Sequence, residues 1–223
     1  MTPGRQALAA YRDRPRATRV HTRLRWWWCP FPAIEAEVPR AGDVLEVGCG
    51  HGLLSLYLAL ASPGRRVHGV DIDAPKIDEA LAAAAAVGPD VDVRFEVVPP
   101  GFVPGGEWDA IVVADVLYLL PPAMQREIVE AAAGALRPGG VVVLKEMGLT
   151  PRWKMRWNRF QETLATKVVK ITEHTGAGLN FVASDEMAGW LAAKGLDTSV
   201  RAVDKGYPWP HHLVVGHRPG RAD

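Results

Sequence analysis

One stretch constrains this 223-residue chain more than any other: Asp43-Val44-Leu45-Glu46-Val47-Gly48-Cys49-Gly50-His51-Gly52, followed by an apolar run from Leu53 to Leu60. The β-branched and aliphatic residues before Gly48 read as a short buried strand, and the run after Gly52 reads as a helix, so the glycines form a β-turn-α junction. Glycines at 48, 50 and 52 can take positive φ and let backbone approach a ligand without a Cβ in the way. The helix that follows offers N–H groups with no intrahelical partner. The stretch therefore reads as a cradle for a nucleotide-like ligand.

Spacing narrows the ligand. A dinucleotide fingerprint needs glycine at the sixth position of G-x-G-x-x-G, and here that position is Leu53. A second strand, Arg66-Val67-His68-Gly69-Val70, ends at Asp71-Ile72-Asp73. It places an acid about twenty residues beyond the glycines, where a carboxylate accepts hydrogen bonds from ribose hydroxyls. Asp71 fits that role.

Strand, glycine turn, helix, strand and terminal acid in this order resemble the class I S-adenosylmethionine-dependent methyltransferases of the small-molecule type. Their first motif is similar to Val44 through Gly52 and their second to Val67 through Asp73. The resemblance implies S-adenosylmethionine as cofactor, the glycine turn against its methionine part, Glu46 supporting the turn and Asp71 holding the ribose. The cofactor candidates are thus Glu46, Gly48, Cys49, Gly50, Gly52, Asp71 and Ile72. Asp115-Val116-Leu117-Tyr118 resembles the family's fourth motif, where the chain turns beside the transferable methyl, and adds Asp115 to the cofactor set and Tyr118 to the catalytic candidates. The family often places an acid after the third strand for the adenine amino group. This chain has Val98-Pro99-Pro100 there, which leaves backbone groups to serve.

The remaining sequence completes a Rossmann-like α/β pattern. Asp73-Ala74-Pro75 reads as a helix start with an N-cap acid and an early proline, and the alanine-rich helix that follows stops at Gly88-Pro89. Third and fourth strands are expected over 91–97 and 108–115, a helix over 123–136, a turn at Arg137-Pro138-Gly139-Gly140 and a fifth strand over 141–146. A helix from Ser184 to Ala193 then precedes two last strands, 198–203 and 212–217. The pattern predicts a doubly wound, mostly parallel sheet with helices on both faces and a C-terminal antiparallel hairpin, with the ligand at the strands' carboxyl ends.

Two segments lie outside that core pattern. Residues 1–40 are basic and aromatic, with Arg5, Arg12, Arg14, Arg16, Arg19, Arg23 and Arg25 running into Trp26-Trp27-Trp28, ahead of a methyltransferase domain over 41–223. The simplest expectation is a helix packing its tryptophans on the core with the arginines in water; a lid over the cofactor or an element touching an anionic membrane surface are the alternatives. Residues 150–183 are expected as a substrate-side insertion, with Trp153, Trp157 and Phe160 on one stripe of an amphipathic helix and available to bind substrate.

The net charge is +1 and the two cysteines are too few for a disulfide scaffold, which fits a reducing, cytoplasmic setting and argues against a globally basic nucleic-acid binder. No signal-peptide apolar region and no run of about eighteen apolar residues is present. Methyl transfer needs alignment more than a protein nucleophile, and for a hydroxyl acceptor a base helps. Candidate bases are Tyr118, Glu146, His174, His211 and His212; as metal ligands the adjacent His211 and His212 would point to opposite strand faces, and they read as ordinary strand histidines. No spacing suggests a metal site. The leading expectation is methyl transfer to a small, hydrophobic or lipid-like acceptor, with O-methylation favoured. An RNA methyltransferase and a SAM-binding regulator without turnover are the other readings, and oligomeric state is not legible.

Overall fold

The computed structural model describes residues 1–147 and 179–220. Three N-terminal helices, α1 (Pro3–Ala9), α2 (Arg16–Trp28) and α3 (Phe31–Glu35), precede β1 (Ala41–Val47), α4 (Leu53–Ala61), β2 (Gly64–Asp71), α5 (Ala74–Val87), β3 (Val93–Val97) and β4 (Trp108–Ala114). A 3-10 turn (Leu117–Leu119), α6 (Pro122–Gly134) and β5 (Leu136–Met147) follow, and beyond residue 178 come α7 (Ser184–Ala192), β6 (Asp197–Ala202) and β7 (His211–His217). The sheet order is β3-β2-β1-β4-β5-β7-β6. The strands from β3 to β5 are parallel, and β7 runs antiparallel to both β5 and β6. This is the expected Rossmann-like sheet with its C-terminal hairpin.

Strand alternation sorts side chains between two cores. Val44, Ala110, Val112, Val141, Val143, Leu213 and Val215 face a cluster with α1, α4 and α5. Leu45, Val47, Ile111, Val113, Val142, Leu144 and Val214 face α6 and α7 through Ile128, Val129, Met187 and Leu191. Both faces are apolar because both are covered, and burying a leucine such as Leu56 or Leu144 stabilises the fold by roughly 1.5–3 kcal/mol.

The N-terminal helices belong to the first core: Ala7, Tyr11, Cys29, Phe31, Ile34 and Val38 are buried in it. The three tryptophans part company. Trp26 packs edge-on against Phe31 and Tyr57 with centroids 5.7 and 5.1 Å away, whereas Trp27 is 74% exposed and Trp28 stands half out of the surface against Trp209. A helix meets the core with one face only, so three consecutive aromatics cannot all reach it. Arg25 likewise leaves the expected solvent face and turns inward.

Some boundaries move. The Arg137–Gly140 stretch expected as a turn is part of β5, which starts at Leu136 opposite Trp108 and shifts register before Ala110 pairs with Val141. Neighbouring pairing overrides the local turn signal, with Gly139 at φ +79 absorbing the irregularity. Asp73 caps α5 as expected, its Oδ1 accepting from the Lys76 N–H at 3.2 Å.

Candidate active site

The glycine turn sits between the carboxyl ends of β1 and β2, and its three glycines do different jobs. All have positive φ: +76 at Gly48, +54 at Gly50 and +77 at Gly52. A Cβ on Gly48 would lie 2.3 Å from Val116 Cγ2 and one on Gly52 2.5 Å from Phe95 Cζ, so those two are glycine partly because the protein packs against them. A Cβ on Gly50 would meet only Lys76 Cδ at 3.9 Å. The turn is therefore open at Gly50, the position where an incoming ligand can meet bare backbone.

Two acids brace the turn. Glu46 lies on the α4 face of β1 and accepts a hydrogen bond from Ser55 Oγ; burial, opposed by that hydrogen bond, pushes its carboxyl up to about 7. Asp71 accepts from the Gly50 N–H at 2.7 Å through Oδ2 and from the Asp73 N–H at 2.9 Å through Oδ1. A carboxylate has about four acceptor positions, so Asp71 can fix the turn and still receive ribose hydroxyls. Its neighbour Ile72 is 60% exposed, an apolar side chain presented beside the cradle. Tyr11, fully buried in α1's wake, donates its hydroxyl to the His51 carbonyl at 2.5 Å, a second tie that the sequence does not reveal.

Asp71→Ala therefore removes an internal brace as well as a ligand contact. Cofactor affinity is expected to fall at least about tenfold, and the ligand-free melting temperature to fall with it, because each lost hydrogen bond to a charged group is worth about 1.5–3 kcal/mol. Titration calorimetry and a thermal melt on the same sample separate the two effects; unchanged affinity would remove Asp71 from the cofactor site.

A second cluster gathers at the carboxyl ends of β4, β5 and the amino end of β7. Asp115 follows β4 in the left-handed region, φ +60, uncommon for a residue other than glycine. Its buried carboxylate pairs with Lys145 Nζ, also buried, and accepts from Arg25 Nη1 at 2.5 Å. Burial alone would raise the Asp115 carboxyl, but the two cations hold it well below the usual carboxylate range. That carboxylate is held between α2 and β5. Cys29 sits 3.8 Å from Asp115 Oδ2, and burial pushes its thiol up to about 12 and that of Cys49 higher still, so both remain thiols.

Alternation along β5 and β7 decides what joins this cluster. Glu146 points to the opposite face from Lys145, where its Oε1 accepts from the Leu117 N–H at 3.2 Å. Burial first, then the Asp115 charge, push it up to about 8, so at neutral pH it is mostly protonated. Tyr118 stacks on Phe181 at 5.5 Å, and its carbonyl accepts from the Asn180 N–H. His211, opposite Met147 in the register, shares the face of Leu213 and Val215 and reaches the α2 side. His212 turns to the other face, 3.0 Å from Ser184 Oγ. Trp153, Trp157, Phe160 and His174 lie outside the described residues.

His211 is 4% exposed, and its Nε2–H donates to the Trp28 carbonyl at 2.7 Å. That bond fixes the tautomer and leaves Nδ1 as a buried acceptor without a hydrogen-bond partner among the described residues. Burial, then the Lys145 charge, lower its pKa to about 4, so the ring is neutral at physiological pH.

These shifts set a pH dependence for stability. Glu46 and Glu146 have folded pKa values raised above their unfolded ones, so their contribution is present below about pH 4.5 and lost as pH rises through about 7 and 8. His211 and His21 are lowered to about 4, so theirs is present above about 6.5 and lost on acidification. The ligand-free protein should melt highest near pH 6 and several degrees lower at pH 9, with the alkaline fall reduced in Glu46→Gln. A flat profile from pH 6 to 9 would contradict the buried carboxyl assignment.

The sheet order and the cradle at its switch point define a Rossmann-like protein that binds a nucleoside-bearing cofactor at the strands' carboxyl ends. Residues 45–142 match the model of a family described as a methyltransferase domain. A ubiquinone biosynthesis O-methyltransferase of Xanthomonas axonopodis pv. citri (strain 306) is 30% identical over 181 residues, covering 81% of this chain and 73% of that protein. One from Xylella fastidiosa (strain 9a5c) is 31% identical over 189 residues, covering 83% and 73%. An O-methyltransferase family protein from Burkholderia thailandensis superposes with a TM-score of 0.69 at 19% identity, over 92% of this chain and 57% of that one, so this chain spans little more than half its length. A SAM-dependent methyltransferase from Methanosarcina mazei gives 0.64 at 20% identity, over 85% and 98%. The chain belongs to the class I S-adenosylmethionine-dependent methyltransferases.

Proposed function

We propose that the protein transfers a methyl group to a hydroxyl oxygen of a small, hydrophobic acceptor. The observation that carries this reading is the similarity, at about 30% identity and over most of their length, to relatives named for O-methyl transfer. The open cradle at Gly50 fits the cofactor's amino-acid part, Asp71 fits its ribose and Ile72 the face of its adenine. Past β3 the Val98 N–H already donates to the Asp71 carbonyl at 3.0 Å and Pro99 and Pro100 have none, so carbonyl groups there are the natural partners of an adenine amino group.

When bound, S-adenosylmethionine supplies a methyl on a positive sulfur, displaced in line by the acceptor oxygen. The chain's own task is then to align the acceptor, exclude water and take the hydroxyl proton. His211 Nδ1 has the right protonation state for the last: it is unprotonated at neutral pH, and its ring is held by the bond to Trp28. The Asp115, Lys145 and Arg25 charges act on the His211 ring, and Tyr118, stacked on Phe181, is proposed to contact the acceptor.

The test is transfer from labelled S-adenosylmethionine into three fractions: a lipid extract, small polar metabolites and total RNA. Label in the lipid fraction, released by chemistry that cleaves methyl ethers or esters, supports the proposal. Label confined to RNA would overturn it.

A further inference from the structure

We propose that α1 and α2 form a docking surface for an anionic lipid bilayer, seating the protein with α2 along the membrane. The outer side of α2 carries Val20, Leu24, Trp27 and Trp28, all substantially exposed and spaced four, three and one residues apart along one stripe. Beside that stripe, at Arg16, Arg19 and Arg23, runs a basic edge, and α2 contains no acidic residue. An exposed tryptophan costs free energy in water, and an arginine-flanked aromatic stripe is the composition that partitions into the headgroup boundary.

A groove gives the charge a place to act. Between α1 and α2 lies a depression of about 310 Å³ whose walls include Arg5, Arg12, Arg19 and Arg23 together with Leu8, with no carboxylate among its lining residues. None of these four arginines is in an ion pair with a described residue, in contrast to Arg14 and Arg25, which are held by Glu79 and Asp115. Four guanidinium groups around a shallow opening, next to an apolar stripe, complement phosphate headgroups above acyl chains, and this charge complementarity selects an anionic bilayer over a neutral one or a second copy of the chain.

Placement gives the surface a use. The carboxyl end of α2 carries Arg25 to Asp115 and the Trp28 carbonyl to His211, so the stripe ends beside the proton acceptor proposed above. An acceptor dissolved in the bilayer would meet the protein there. Docking itself rests on α1 and α2 alone and stands whether or not the acceptor is lipid-like.

Co-sedimentation with vesicles tests it. Wild type should partition onto phosphatidylcholine vesicles containing phosphatidylglycerol, not onto pure phosphatidylcholine, and less so as salt is raised. Arg19→Glu/Arg23→Glu should lower partitioning at least about 25-fold, since each arginine at an anionic surface contributes on the order of fivefold. Trp27→Ala should weaken binding to the same vesicles, and its exposure makes it harmless to the fold. S-adenosylmethionine affinity by calorimetry should be unchanged in all variants, which shows them folded and keeps this result separate from the acceptor's identity. Wild type failing to bind anionic vesicles, equal binding to neutral ones, or a Trp27-dependent dimer or homopolymer RNA complex formed in their place would each overturn the proposal.

Discussion

Gly50→Val should abolish measurable binding of S-adenosylmethionine and S-adenosylhomocysteine, lowering affinity at least about a hundredfold, which corresponds to about 2.7 kcal/mol. The protein itself should survive. Gly50 has φ +54, and a branched residue held there costs about 1–2 kcal/mol, yet its Cβ would meet only Lys76 Cδ at 3.9 Å. The same change at Gly48 drives a side chain into Val116 at 2.3 Å and should destabilise the ligand-free protein instead. Calorimetry with melts on both variants distinguishes a ligand-facing glycine from a packing glycine. A folded Gly50→Val that binds both ligands normally would remove the turn from the cofactor site.

His211→Gln should cut kcat by about 10²–10⁴ while leaving cofactor affinity intact, the range for losing a positioned proton acceptor. Gln is chosen because its Nε2 amide can still donate to the Trp28 carbonyl, as the imidazole does at 2.7 Å, so α2 and β7 stay joined. What is lost is the Nδ1 lone pair. With the histidine at about 4, the wild-type acid limb should lie well below the ordinary histidine range, and the variant should lack it. A variant within tenfold of wild type would return His211 to a purely structural role.

What the sequence makes legible is what the chain does locally. The strand, the glycines, the helix and Asp71 are close in sequence, and their order specifies one βαβ unit whose hydrogen bonds, Gly50 to Asp71 among them, follow from it. The continuous apolar runs of β4 and β5 were equally readable, because both faces of the sheet there are covered. The second cluster was not. Arg25 and Asp115 are 90 positions apart, and Tyr11 reaches His51 across 40, so no spacing joins them before the fold does. Lys145 is an unremarkable residue in a hydrophobic strand until alternation places it on the face of Asp115. His211 was visible as a strand histidine, and strand parity separated it from His212. The tautomer that makes its buried Nδ1 an acceptor depends on a carbonyl at Trp28, 183 residues away. The tryptophan triplet shows the reverse error: composition suggested burial for all three, and helical geometry permits it for Trp26 alone.

The proposed activity moves a methyl from S-adenosylmethionine to an acceptor oxygen at this site. Incubating the protein with S-adenosylmethionine enriched in carbon-13 at the methyl and with a hydroxylated aromatic carrying an alkyl tail, then recording the carbon spectrum, tests it directly. An O-methyl resonance is expected in the product, absent with Gly50→Val and strongly reduced with His211→Gln. Label on nitrogen or carbon, or an O-methyl signal as strong with Gly50→Val as with wild type, would contradict it.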